Sequence, residues 1–195
     1  MLVSVICVLS VLISVGICLS GGAFSSLSWL WVLPVSLLGS LLALALLAFA
    51  VLYLICCTVH LDKPQEHDSP FFRKLAYLYI DAVMTILRVR VHTRGLEKAP
   101  ESGRFLLVCN HLNDMDPLTL LAYFKSSQLA FISKRENSRM LIIGKLMHKI
   151  MCQPINREND REALKTILKC IQLLKDNEAS IGVFPEGYTS KDGKL

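Results

Sequence analysis

No aspartate, glutamate, lysine or arginine occurs before Asp62. All 21 basic and all 16 acidic residues lie in 62–195, so the formal net charge of +5 belongs wholly to the second part of the chain. About sixty residues without a charge have the composition of lipid-embedded protein. Residues 2–19 form an uncharged run of 18, and residues 29–57 one of 29. A membrane-crossing helix needs about 20 apolar residues. The second run therefore spans with tilt or a kink at Pro34, and the first is at the short limit. The small-residue stretch "SGGAFSSLS" at 20–28 can turn the chain between them into a hairpin, and Trp29 and Trp31 suit an interfacial belt. A cleaved signal peptide is the competing reading of residues 1–20, but the basic n-region it needs is missing. Lys63, Arg73 and Lys74 follow the second run and no base precedes it, which predicts that the charged part faces the cytoplasm.

The expected organisation is a hairpin anchor over 1–60, a polar linker over 61–69 that contains Pro64 and ends before Pro70, and a domain over 70–195. The seven cysteines include no C-x2-C pair of the metal type and read as reduced, structural thiols.

Within the domain, apolar residues at 72, 75, 76, 79, 80, 83, 84 and 87 have helical spacing. They predict a core helix, with a helix on the bilayer surface, Arg73 and Lys74 toward headgroups, as the alternative. Next come a strand at "VRVHTRG" (89–95), a buried strand at "RFLLVC" (104–109), a short helix at "PLTLLAYF" and a strand at "QLAFIS". A helix over 136–150 follows, with Met140, Ile143, Gly144 and Met147 along one face. Then "MCQPIN" reads as a strand, 159–176 as a helix with Leu164, Ile167, Leu168, Ile171 and Leu174 inward, and "SIGVF" as a last strand. This alternation predicts an α/β domain with a mostly parallel sheet.

Ligands of such sheets collect at the carboxyl ends of the strands. Four polar clusters follow strands: "NHLNDMD", "SKRE", "NRE" and "PEGYTS". In the first, His111 and Asp116 are five positions apart, about 140° on a straight helix, so they meet only if the chain between them turns. Asn113 and Asp114 favour that turn, and Asp116-Pro117 is the signature of a helix start with Asp as N-cap. An aspartate on one ring nitrogen of a histidine leaves the other nitrogen as a base. A structural pair, Asp116 capping and His111 merely ending a strand, is the plainer alternative.

No serine or cysteine stands in a nucleophile context: Ser133 and Ser138 have no elbow, and Cys109 lies in a strand. The base then activates a hydroxyl of the substrate against an already activated acyl or phosphoryl group. Lys134, Arg135 and Arg157, nearest the strand ends, suit a phosphate. Glu186 adds a carboxylate, and Gly187 permits close backbone approach.

These residues carry a resemblance. "NHLNDMD" resembles the His-x4-Asp motif of the glycerolipid acyltransferases, and "FPEGYTS" their Phe-Pro-Glu-Gly-Thr-Arg-Ser motif. "INR" at 155–157 resembles the block that ends in a substrate-binding Arg, and "FISKRE" the strand-plus-Lys segment. The likeness runs in order over about residues 70–192 and is nearest to the branch that acylates 1-acylglycerol-3-phosphate (lysophosphatidic acid) to phosphatidic acid. It implies an enzyme of phospholipid biosynthesis at a cell membrane. His111 is then the general base, Asp116 its orienting carboxylate, and Arg157 with Lys134 the phosphate site. Glu186 and Gly187 shape the acceptor site. The donor is an acyl thioester, acyl-CoA or acyl carrier protein, with no metal or other cofactor. The sequence departs from the motif at Tyr188 and Thr189, where the family often has Thr and Arg. The family also continues past this motif, so an incomplete domain is expected. Two other classes compete: a membrane-anchored metallohydrolase using His111, Asp114 and Asp116, and a non-catalytic lipid-binding module.

Overall fold

The computed structural model describes residues 1–100 and 102–188. It divides into two compact units, Met1–Thr58 and Val59–Leu195.

The first unit is two packed helices, α1 (Leu2–Ser20) and α2 (Trp29–Cys57), joined by a single 3-10 turn at Ala23–Ser25. Both are long and apolar enough to cross a membrane. Their seam is made of small polar residues. Ser10, Ser14 and Cys18 are buried, Ser14 Oγ donates to the Ser10 carbonyl at 2.7 Å, and Ser40 Oγ reaches the same carbonyl at 3.3 Å. Small residues let two apolar helices approach closely, while leucines face outward.

The second unit is an α/β domain. Its elements are α3 (Pro70–Ile86), β1 (Leu106–Val108), α4 (Asp116–Tyr123), β2 (Leu129–Lys134), α5 (Arg135–Ser138), α6 (Ile143–Lys149), β3 (Gln153–Ile155), α7 (Asp160–Lys175) and β4 (Ser180–Val183). The four strands are all parallel, in the order β1-β4-β2-β3. The connections β1–β2 and β2–β3 step one way across the sheet, and β3–β4 steps back. Right-handed crossovers then put α4, α5 and α6 on one face and α7 on the other. α3 packs on α4 and α6, which completes the first layer. Leu129, Phe131, Ile181, Leu121, Ile80, Ile150 and Leu173 form the centre of the core.

The structure corrects the expected elements in four places. Residues 89–95 form no strand: Arg88 turns into positive φ, Val89 N bonds back to the Met84 carbonyl, and among the described residues no ladder partner lies beyond edge strand β1. The expected buried strand at 104–109 is a three-residue edge strand whose Leu106 and Val108 are exposed. The helix expected over 136–150 is two, α5 and α6. A Cβ on Gly144 would lie 2.2 Å from the Ser138 carbonyl oxygen, so only glycine permits this tight return. Met140 and Ile143 are exposed, while Gly144 is buried.

Helix α7 is placed as expected but turned. Leu164, Ile167, Leu168 and Ile171 are exposed, and Cys170 and Leu173 meet the sheet instead. Its apolar arc is wider than the surface the sheet offers. Helix α3 is the core helix that was expected, and the alternative orientation toward headgroups is not taken by Arg73. Arg73 is 4 % exposed and is held by the Asp68 carboxylate at 2.7 Å and by the Leu129 and Ile150 carbonyls at 2.9 and 3.0 Å.

Candidate active site

Because every strand is parallel, β1, β4, β2 and β3 all end at one edge. The register pairs Val108 with Val183 and Lys134 with Ile155, so the four polar clusters leave the sheet side by side. The chain beyond β1 is built for a reversal. Asn113 Oδ1 accepts from Met115 N at 2.9 Å, and Asp116 N donates to the Asn113 carbonyl at 2.9 Å.

This turn returns Asp116 to the start of its own loop. Its Oδ2 accepts from Leu112 N and Asn113 N, both at 2.8 Å, and lies 3.2 Å from His111 Nδ1. Asp116 is therefore not the N-cap that was expected; Met115 holds that position, and Pro117 falls at the helix start. The carboxylate is committed to the loop and the imidazole, not to the helix amides. With an acceptor on Nδ1, the ring hydrogen sits there and Nε2 keeps its lone pair.

The ring is also held from its face. The His111 imidazole stacks on Phe184 with centroids 4.3 Å apart and planes 25° from parallel. Phe184 in turn stacks on Phe131, at 5.5 Å and 6°. Neither phenylalanine was given a role from the sequence, where Phe184 read as the end of a strand and as the first residue of the Phe-Pro-Glu-Gly motif. The available signal was its place in that motif, directly before the Pro-Glu-Gly turn.

That turn is closed by Gly187 N donating to the Phe184 carbonyl at 3.1 Å, with Pro185 at its second position and Gly187 at φ +74°. Glu186 Oε1 accepts from His111 N at 3.4 Å, which ties the two motif loops together. Its Oε2 is buried without a hydrogen-bond partner among the described residues. Arg157, exposed after β3, donates from Nη1 to the Gly187 carbonyl. His111, Asp116, Glu186, Gly187 and Arg157 are thus linked by contacts. Lys134 ends β2 at the same edge and is exposed, and no contact joins it to the other five among the described residues. Thr189 lies outside the described residues.

Nucleophile chemistry finds no support among the described residues. Burial, reinforced by the Asp116 charge, pushes the Cys109 thiol up, away from the reactive thiolate. Ser138 Oγ is engaged with the Arg135 carbonyl at 2.6 Å. Among the described residues no three His, Cys, Asp or Glu side chains are grouped to hold a metal ion.

Relatives share this part of the chain. The chloroplast 1-acyl-sn-glycerol-3-phosphate acyltransferase of Arabidopsis thaliana is 37% identical over 107 residues, 54% of this chain and 29% of the relative. The 1-acyl-sn-glycerol-3-phosphate acyltransferase of Bacillus subtilis is 33% identical over 115 residues, 58% of this chain and 56% of the relative. The crystal structure of the 1-acyl-sn-glycerophosphate acyltransferase PlsC from Thermotoga maritima superposes with a TM-score of 0.53 at 27% identity, covering 63% of this chain and 47% of that one. The chain thus spans from under a third to just over half the length of these relatives. The acyltransferase family model matches residues 90–195, more than half of the chain and all of the loops just described, and the protein belongs to that family.

Proposed function

We propose that the protein transfers an acyl group from a thioester to the free hydroxyl of 1-acylglycerol-3-phosphate, giving phosphatidic acid. The observation that carries this reading is the His111–Asp116 pair. Asp116 Oδ2 occupies Nδ1, and Nε2 is left as a base with no serine or cysteine hydrogen-bonded to it among the described residues. His111 Nε2 takes the proton of the acceptor hydroxyl as its oxygen attacks the thioester carbonyl. The carbon–sulfur bond then breaks, and the departing thiolate recovers the proton from the imidazole. Asp116 holds the ring and stabilises the imidazolium formed in between.

Arg157, at the Glu186-Gly187 turn, binds the acceptor's phosphate, and Lys134 adds a second charge from the end of β2. Glu186 and Gly187 shape the acceptor site. The donor is acyl-CoA or acyl carrier protein, which share the thioester, and the reaction needs no further cofactor. Residues 1–60 anchor the chain as a membrane-spanning hairpin, 61–69 form the linker, and the domain from 70 onward works on the cytoplasmic face. The names of the relatives support the reaction, and two long apolar helices support the membrane location. The absence of a three-ligand cluster among the described residues weighs against a metallohydrolase at His111, Asp114 and Asp116. A non-catalytic lipid-binding module would not account for a carboxylate-oriented histidine.

Replacing His111 by Ala in the intact membrane-bound protein lowers acyl transfer to lysophosphatidic acid by about 10²–10⁴-fold while the fold is kept. Turnover with acyl-CoA and with acyl carrier protein thioester would be followed separately. A His111→Ala protein within a few-fold of the wild type rejects the base assignment.

A further inference from the structure

We propose that Phe184 is a positioning residue for His111, holding the imidazole at the angle at which Nε2 meets the acceptor hydroxyl. This rests on the reading of His111 as the base. The in-plane contact from Asp116 fixes which nitrogen carries the hydrogen but leaves the ring free to rock about the Nδ1–Oδ2 direction. At 3.2 Å that contact is a long one. The Phe184 face, 4.3 Å away and 25° from parallel, removes the rocking. It also screens one side of the ring from water, so the acceptor approaches along the open edge.

The support is itself fixed from behind. Phe184 lies flat on Phe131, which is buried, and the Phe131 backbone N–H points to Cys152 Sγ at 3.3 Å. The Phe131 ring fits against β4 only because residue 182 is glycine. A Cβ there would lie 2.4 Å from the ring. Gly182, Phe131, Phe184 and His111 thus form a column from the sheet to the base. A further consequence is electrostatic: the imidazolium formed during transfer lies over a π face, which favours the cation.

The test compares Phe184→Leu, Phe184→Tyr and His111→Ala in the intact membrane-bound protein. Acyl transfer would be measured over a range of donor and acceptor concentrations, with thermal melts recorded alongside. Phe184→Leu removes the π face but keeps an apolar side chain, and lowers kcat about tenfold with KM for both substrates unchanged. Phe184→Tyr keeps the stack and restores most of kcat, although its melt need not differ from that of the Leu variant. If the Leu variant does not fold, Phe184→Met provides the same comparison with a more adaptable side chain. The proposal is overturned by a Leu or Met variant with wild-type kcat. It is overturned equally by a Tyr variant no better than Leu, or by a loss confined to KM. An inactive His111→Ala beside a fully active Phe184→Leu rejects the positioning role and leaves the base standing. An active His111→Ala rejects the base itself.

Discussion

Helices α3 and α7 carry the same kind of sequence pattern and meet opposite fates. α3 was expected to be a core helix, with a bilayer-surface helix as the alternative, and its enclosure is so complete that even Arg73 is buried in a web of Asp68, two backbone carbonyls and the Tyr77 hydroxyl. α7 was expected to turn five aliphatic residues inward, yet four of them are exposed. Helical spacing reveals which residues share a face. It does not reveal how much of that face another element will cover. α3 packs against α4 and α6 and is bordered by the linker, so even a charge there is enclosed and must be paired. α7 is alone on its side of the sheet among the described elements, and its apolar arc is covered only in part.

The contrast breaks most readily at Asp68. Both side chains of the Asp68–Arg73 pair are 5% exposed, and replacing Asp68 by Asn strands a buried guanidinium. Removing one partner of such a pair costs about 3–5 kcal/mol. Chemical denaturation of the Asp68→Asn protein should show a loss of that size, together with loosening of the segment that enters α3. A midpoint close to wild type would mean that Arg73 escapes to solvent.

The second test compares two leucines of α7. Leu173 is 1% exposed and Leu168 is 56% exposed. Leu173→Ala should cost about 2–5 kcal/mol, and Leu168→Ala no more than about 0.5 kcal/mol. Equal losses would show that the outer face of α7 is covered in solution.

Thiol chemistry sharpens the same comparison with a smaller perturbation. Burial pushes Cys170, on the inner face of α7, and Cys152, against β2, each up to about 11. At pH 8 both remain almost wholly protonated and enclosed. Maleimide labelling followed by mass spectrometry should leave both unmodified until the domain unfolds. Prompt labelling of Cys170 in the native protein would show that α7 lifts from the sheet.

The smallest effect concerns pH. Burial, with Lys149 nearby, lowers the affinity of His148 for a proton, and its Nε2 hydrogen is donated to the Lys63 carbonyl at 3.1 Å. The unfolded chain takes up that proton at about pH 6.5, the folded one only at lower pH. The stability from this group is therefore present above about pH 6.5 and is lost as the pH falls from there to the lower folded value. His148→Gln should flatten the decline in melting temperature between pH 7 and pH 5. An unchanged slope would assign that decline to carboxylates.

The order of the elements, the parallel sheet and the edge where the four polar clusters meet were legible in the sequence. Alternating periodicities are a local property, and a parallel sheet gathers its strand ends by topology alone. The turn between His111 and Asp116 could be read from residue types, since Asn, Asp and Pro act on their own backbone. What sequence could not supply was everything that depends on coverage or on a contact between distant segments. Residues 89–95 alternate like a strand but have no neighbour to pair with among the described residues, and a strand exists only as part of a ladder. Met140 and Ile143 share a periodicity with Gly144, yet the close return of Gly144 onto Ser138 ends one helix before the next begins. Asp116 has the sequence of an N-cap, but its carboxylate finds nearer donors in the loop behind it.

By itself, the sequence determined that an uncharged sixty-residue segment precedes a charged α/β domain, and that a histidine and an aspartate follow one of its strands. Charge and periodicity are carried by each residue whatever surrounds it. Only the tertiary structure decided which face of α7 is covered, that Arg73 is buried, and that Phe184 lies against His111. Each of these depends on two segments far apart in the chain, brought together by the packing of the sheet.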